Sequence, residues 1–300
     1  MVRGAGSLVR IGRKPPKSCF DGFHCGGYDD LIKDFHDFLV VEMRVESQTA
    51  KHHCWNLRQF LEAVRKDIND ISRLDIRDYF LEQMKVKSQA TINNYLKTLK
   101  RFFRDYLHKP ELIESFKFKQ PEFKEKRIPS KIELKQFYEA LPNIEHRAVF
   151  LAFASSGLRA REIVSLTIRD IDLEQRRLYS AKHSTRTKKV GCGFFNEETA
   201  KIIRQMLKGK HLREDDRVFP SYKSIRQTWK SVSEQCGIKI TPRILREWFC
   251  SEMGRLGVPD RYIDAFCGRV PKSVLAKHYT DYNPETLKEI YDKANLKVLS

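Results

Sequence analysis

The sequence predicts a mainly α protein with one small antiparallel β-sheet, an α+β chain folded as two domains. Three features of its 300 residues carry that expectation. Apolar side chains recur at helical spacing in four segments between Tyr28 and Leu107. A charged stretch interrupted by Pro121, FKFKQPEFKEKR, then separates the halves of the chain. Beyond it helical patterns resume. They are broken once, by LTIRDIDLEQRRLYSAKHSTRTKKVGCGFF, whose apolar residues partly alternate as strands require.

Residues 1–27, MVRGAGSLVRIGRKPPKSCFDGFHCGG, have no apolar signal-peptide core and read as a flexible basic tail. The first domain is expected over residues 28–115. Its first helix carries Leu31, Ile32, Phe35, Phe38 and Leu39 on one stripe. A second follows Ser47-Gln48-Thr49 and buries Cys54, Leu57, Phe60, Leu61 and Val64. A shorter third lies near Leu74 to Met84. The fourth follows Ser88 and carries Ile92, Tyr95, Leu96, Leu99, Phe102, Phe103, Tyr106 and Leu107, ending at Pro110. Lys51, His52, Arg58, Lys97, Lys100, Arg101 and Arg104 lie on the polar faces, and together they suggest a face that tracks phosphates.

Residues 116–128 read as a linker and 129–283 as the second domain. Ser130 and Glu133 have the spacing of a capping box, and Leu134, Phe137 and Leu141 give the apolar face of the helix it starts. A helix from Glu145 runs through Ala148–Ala154 to Ser155-Ser156-Gly157-Leu158-Arg159. The β-prone region follows, with His183–Lys189 expected as a turn between two strands. Helices return at Glu197–Leu207, Tyr222–Cys236, Ile244–Leu256 and Asp260–Phe266. Residues 284–300 form an amphipathic helix with Leu287, Ile290, Tyr291, Ala294 and Leu296 on its apolar side. No segment of the chain stands out as its partner.

Composition narrows the function. Lys and Arg number 57 against 39 Asp and Glu, a formal net charge of +18. That excess points to a polyanionic partner, nucleic acid before a membrane surface. The longest apolar run, Ala148–Ala154, is far too short to span a bilayer. The seven cysteines are odd in number and contain no C-x-x-C pair, as expected of reduced thiols in an intracellular protein. Cys19, Cys25 and His24 lack the second ligand pair that zinc needs.

The chemistry concentrates between Thr241 and Tyr282. Arg243 and Arg246 stand one helical turn apart, Gly268-Arg269 follows, and Tyr279 and Tyr282 flank the end. Guanidinium groups take phosphate oxygens through a planar fork, and a phenol can form a covalent intermediate. Arginines placed with a tyrosine therefore suggest phosphodiester chemistry. No acidic metal-binding cluster accompanies them, so neither metal nor cofactor is expected.

Four pieces in order, GLRAREI, a lysine in a β-hairpin, PRILREWF and GR…KHYTDY, resemble the tyrosine recombinase (phage integrase) family. The likeness covers nearly the whole chain and is greatest to the archaeal fuselloviral-type integrases. It implies a helical core-binding domain followed by a catalytic domain. The implied activity is site-specific DNA cleavage and rejoining through a 3′-phosphotyrosine, to integrate or excise a viral or mobile element. Arg159 matches the family's first arginine and Arg246 its second. Arg243 and Arg269 stand where many members carry histidine; neither can act as a base. Tyr279, before Thr280, matches the nucleophile, and Tyr282 reads as an aromatic packing nearby. Lys182 matches the catalytic lysine, with Lys188 and Lys189 as alternatives. The resemblance also implies double-stranded DNA as partner, a homo-tetramer on DNA and a C-terminal helix exchanged between subunits. A topoisomerase of type IB character and a catalytically weak or inactive DNA-binding relative are the alternative readings.

Overall fold

The computed structural model describes residues 28–120, 122, 125–179, 192–269, 273 and 280–300. The expected basic tail, residues 1–27, lies outside them. The chain divides into two compact units, Met1–Lys124 and Glu125–Ser300.

The first unit is helical. Helices α1 (Asp29–Val41), α2 (Ser47–Val64), α3 (Arg73–Val86) and α4 (Gln89–Lys100) enclose one apolar core. The starts of α3 and α4 are fixed by side chains that satisfy otherwise unpaired backbone N–H groups. Ser72 and Asp75 cap α3 reciprocally, and Ser88 accepts from the Thr91 N–H at the start of α4. Helix α4 runs on into a π-helical segment, Arg101–Tyr106, where the Leu107 N–H reaches back to the Phe102 carbonyl at 2.9 Å. The wider turn lets the adjacent Phe102 and Phe103 both enter the core, where they meet Phe35 and Phe60.

The supposed phosphate-tracking face is partly used up inside this unit. Lys100 is buried, its Nζ bonded to the Glu114 carbonyl and lying over the Phe118 ring. Arg101 donates to His53 Nε2 at 2.9 Å. Arg58 pairs with Asp29, and Arg104 with Asp105. That leaves Lys51, His52 and Lys97, none of them in an ion pair among the described residues.

The second unit is built around α6 (Ile144–Ser156), buried continuously from Ala148 to Ser156. A helix apolar all round needs cover on every side. Helices α8 (Glu197–Leu207) and α10 (Pro242–Arg255) pack against it. Trp229, on α9 (Tyr222–Cys236), closes the core against Phe137, Phe150 and Phe153. Phe137 arrives on α5 (Lys131–Glu139), whose start is held by the expected Ser130–Glu133 box. The sheet is small and antiparallel, in the order β1 (Ile171–Asp172), β2 (Arg177–Leu178), β3 (Gly193–Phe194). Strand β2 pairs with β3 through Arg177 opposite Phe194 and Leu178 opposite Gly193. The expected turn His183–Lys189 lies outside the described residues.

The C-terminal segment corrects one expectation. Helix α12 (Pro284–Ala294) does have a partner within the chain: its own unit. Leu287, Tyr291, Ala294, Leu296 and Val298 are buried in the core of that unit. The Tyr291 hydroxyl donates to the Ser155 carbonyl at 2.7 Å, and Asn196 Nδ2 donates to the Leu296 carbonyl at 3.1 Å. Arg177 pairs with Glu285, and Arg176 with Asp292. The stripe read as unpartnered is docked in a groove whose lining is drawn from α6, the sheet and α8, residues far apart in sequence.

Candidate active site

Three elements bring arginines together in the second unit. The first is the end of α6. Gly157 terminates that helix at φ +64°, and a Cβ there would meet the Phe249 ring at 2.4 Å. Only glycine fits this left-handed, tightly covered position. The bend presents the Gly157 carbonyl to Arg246, whose Nη1 donates to it at 2.7 Å.

Arg159 follows two residues later and caps α7 (Ala160–Val164). Its N–H is held by the Glu162 carboxylate at 2.8 Å, and its Nη1 lies 3.5 Å from Glu162 Oε1. Glu162 is fully buried. It therefore fixes the base of Arg159 while the guanidinium stays half-exposed.

The second element is α10, started by Thr241, which accepts from the Ile244 N–H, and by Pro242 in its first turn. Arg246 lies on the inward side. Its Nη2 donates to the Cys267 carbonyl at 2.8 Å, so both ends of the guanidinium fork rest on backbone carbonyls. None of the ion pairs among the described residues includes Arg246. Burial lowers its pKa from the ordinary arginine value; Cys267 and Cys250 press against that shift, and the charges of Arg159 and Arg269 press with it. Arginine does not give up its proton in a protein, so the charge remains.

The third element is the turn after α11 (Asp260–Phe266), where Gly268 takes φ +59°. Arg269 is braced twice by Asp264: its N–H meets the Asp264 carbonyl, and its Nη1 meets Oδ1 at 2.8 Å.

Arg243 is placed differently. Its side chain is 81% exposed and pairs with Glu247 at 3.1 Å, and Glu247 also takes Lys126 at 2.9 Å. It stands at the rim, not among the arginines that act on Arg246. Lys182, Lys188, Lys189 and Tyr279 lie outside the described residues, so the expected lysine and nucleophile are not located. Tyr282 is half-buried against the core of its unit. Just past Tyr279 the chain is held to α12: Asp281 accepts from the Asn283 N–H at 2.8 Å and from the Thr286 hydroxyl at 2.7 Å. The residues that sequence reading missed are the carbonyls of Gly157 and Cys267. Their only trace in the sequence is the glycine in each of GLR and GR.

A profile of the phage integrase family matches residues 129–286, more than half of the chain. The chain belongs to the phage integrase family. A second profile, the N-terminal SAM-like domain of phage integrases, matches residues 31–111. The protein is thus a tyrosine recombinase, an enzyme family that cleaves and rejoins DNA through a tyrosine. The tyrosine recombinase XerA of Saccharolobus solfataricus is 23% identical over 246 residues, covering 76% of this chain and 80% of the relative. XerA of Pyrococcus furiosus is 25% identical over 282 residues, covering 89% and 94%. Among solved structures, a lambda integrase dimer bound to a COC′ core site shares the fold with TM-score 0.64 at 14% identity, covering 84% of this chain and 76% of that one. The Tn1549 transposon integrase in complex with circular intermediate DNA does so with TM-score 0.61 at 16% identity, covering 86% and 98%. No helix among the described residues of this tyrosine recombinase is long and apolar enough to cross a membrane.

Proposed function

We propose that this recombinase acts on pairs of attachment sites of a viral or mobile element, with Tyr279 as nucleophile. The phenol oxygen attacks a phosphate of double-stranded DNA and displaces the 5′-oxygen, leaving a 3′-phosphotyrosine and a free 5′-hydroxyl. Arg159, Arg246 and Arg269 hold the non-bridging oxygens and offset the charge that builds as phosphorus becomes five-coordinate. Arg243 leaves Glu247 to take an oxygen from the rim. Lys182 protonates the departing oxygen, with Lys188 and Lys189 as the alternative donors. The 5′-hydroxyl of the exchanged strand then attacks the phosphotyrosine. Bond energy is conserved throughout, so no nucleotide is consumed.

The observation that carries this reading is Arg246: a largely buried guanidinium, held open by two carbonyls, pressed by two further arginines and paired with no carboxylate among the described residues. Such a group is costly to bury unless an anion completes it. The DNA-bound lambda and Tn1549 integrases support a duplex as that anion.

The working assembly is a homo-tetramer on two sites. In it α12 leaves its own groove and seats in the same groove of a neighbour. This exchange costs little because the contacts remade are identical. The Asp281 bonds to the start of α12 would pass that movement to Tyr279, two residues away.

The test is a gel of the protein on nicked att-site duplex. Wild type should give a covalent adduct, Tyr279→Phe none, and Tyr282→Phe an adduct as before. An adduct from Tyr279→Phe but not from Tyr282→Phe would overturn the assignment.

A further inference from the structure

Two thiols meet beneath the arginines, and the proposed chemistry uses neither. Cys250 lies on α10 one turn after Arg246, and Cys267 directly follows α11. Their sulfurs are 3.4 Å apart. Cys267 is fully buried, whereas Cys250 is half-buried at the edge of the arginine cluster. Arg269 Nη2 lies 3.5 Å from the Cys250 sulfur, and Arg246 is held by the carbonyl of Cys267 itself.

The surroundings treat the two thiols oppositely. The hydrogen bond from Cys267, with the Arg269 and Arg246 charges, holds the Cys250 thiol well below the usual range despite its burial. The same hydrogen bond and its own burial push Cys267 up. Cys192 has no such thiol neighbour, and burial raises it to about 11 although the Arg177 charge presses the other way. A thiolate beside cations and next to a protonated second thiol is the arrangement of an attacking and a resolving cysteine.

We propose that Cys250 and Cys267 form a peroxide-reactive dithiol, oxidised by hydrogen peroxide to a disulfide that ties α10 to the turn bearing Arg269. The Cys250 thiolate attacks one peroxide oxygen. A sulfur–oxygen bond forms, the oxygen–oxygen bond breaks, and hydroxide leaves to take up a proton as water. The Cys267 sulfur then attacks the Cys250 sulfenic acid. The sulfur–sulfur bond forms, the sulfur–oxygen bond breaks, and the oxygen departs with the Cys267 proton as a second water. Two thiols lose two electrons and two protons, and one peroxide becomes two waters.

The sulfurs must close from 3.4 Å to about 2.05 Å. This draws the Gly268-Arg269 turn towards α10 and removes the thiolate that Arg269 contacts. Cleavage should fall by at least about tenfold, a consequence that rests on the reading of Arg246 and Arg269 as phosphate-holding groups. The thiol chemistry itself does not depend on that reading.

The experiment uses the full chain. Protein is treated with hydrogen peroxide, quenched with catalase, alkylated and peptide-mapped without reduction, while a second portion is assayed for adduct formation before and after dithiothreitol. A linked peptide pair containing Cys250 and Cys267 is expected, with cleavage lost and then restored by the reductant. Cys250→Ser should form no link. Cys267→Ser should stop at a sulfenic acid on Cys250 that dimedone traps, so the proposal stays testable if one variant fails to fold. Both cysteines recovered alkylated after peroxide, or a link formed between other cysteines, overturns the dithiol. A Cys250–Cys267 link with unchanged cleavage overturns the effect on the arginines. A link in a protein that cleaves in neither state refutes the active-site reading and leaves the dithiol standing.

Discussion

Replacing Arg246 with lysine isolates what the guanidinium fork contributes beyond its charge. Arginine offers five N–H donors. Two are spent here, one on the Gly157 carbonyl at 2.7 Å and one on the Cys267 carbonyl at 2.8 Å, which leaves three for a phosphate. Lysine carries its three donors on one nitrogen and cannot bridge two carbonyls while presenting a fork to the substrate. Removing one preorganised donor to a developing oxyanion costs about 2.7–4 kcal/mol, or about 10²–10³ in rate. Arg246→Lys should slow single-turnover adduct formation by that factor. DNA affinity and its salt dependence should hold, because the number of charges is unchanged. Losing one carbonyl bond costs about 1 kcal/mol, which lowers the melting temperature of a unit this size by about 2–4 °C. The reasoning is refuted if Arg246→Lys cleaves at the wild-type rate, or if its loss of cleavage merely follows a loss of DNA binding.

Four further outcomes are expected. Leu287→Asp should lower the melting temperature of residues 125–300 by at least about 4–8 °C, for a cost of about 2 kcal/mol or more, since Leu287 is buried in its own unit; an unchanged melt would mean that α12 does not dock in cis. His53 is held neutral, with a pKa of about 4, by burial and then by Arg101. The unfolded chain takes up that proton first, so the first unit should lose about 3 kcal/mol as pH falls from about 6.5 to about 4; His53→Gln should flatten that part of the denaturation profile, and an identical pH profile would exclude His53 as its source. Adduct formation should persist in excess EDTA, and loss restored by magnesium would refute the metal-free mechanism. Affinity for duplex should drop steeply with salt, and removing residues 1–124 should weaken binding and shrink the slope; an unchanged slope would show that the first unit contacts no phosphate.

The His53 site also shows how far sequence reading carries. Arginine only donates, so Arg101 fixes Nε2 as the acceptor and leaves the proton on Nδ1, which donates to Thr98 Oγ1 at 2.7 Å. Sequence placed Arg101 with six other residues on the polar faces of the first domain's helices. It did not show that a buried histidine takes up its donor.

What the sequence determined by itself was whatever local periodicity and capping encode. The four helical stripes of the first unit, the Ser130–Glu133 start of α5 and the run Ala148–Ala154 in the buried α6 each depend on neighbours within one or two turns. The family was legible too, because GLRAREI and PRILREWF are short contiguous pieces. The tertiary structure alone decided which charges converge. Arg246 is inward because Gly157 and Cys267, 89 and 21 residues away, supply its carbonyls, while Arg243 one turn earlier remains in solvent with Glu247. It also decided the fate of α12. An amphipathic stripe states that an apolar face must be covered, and only the folded core supplies the groove that covers it.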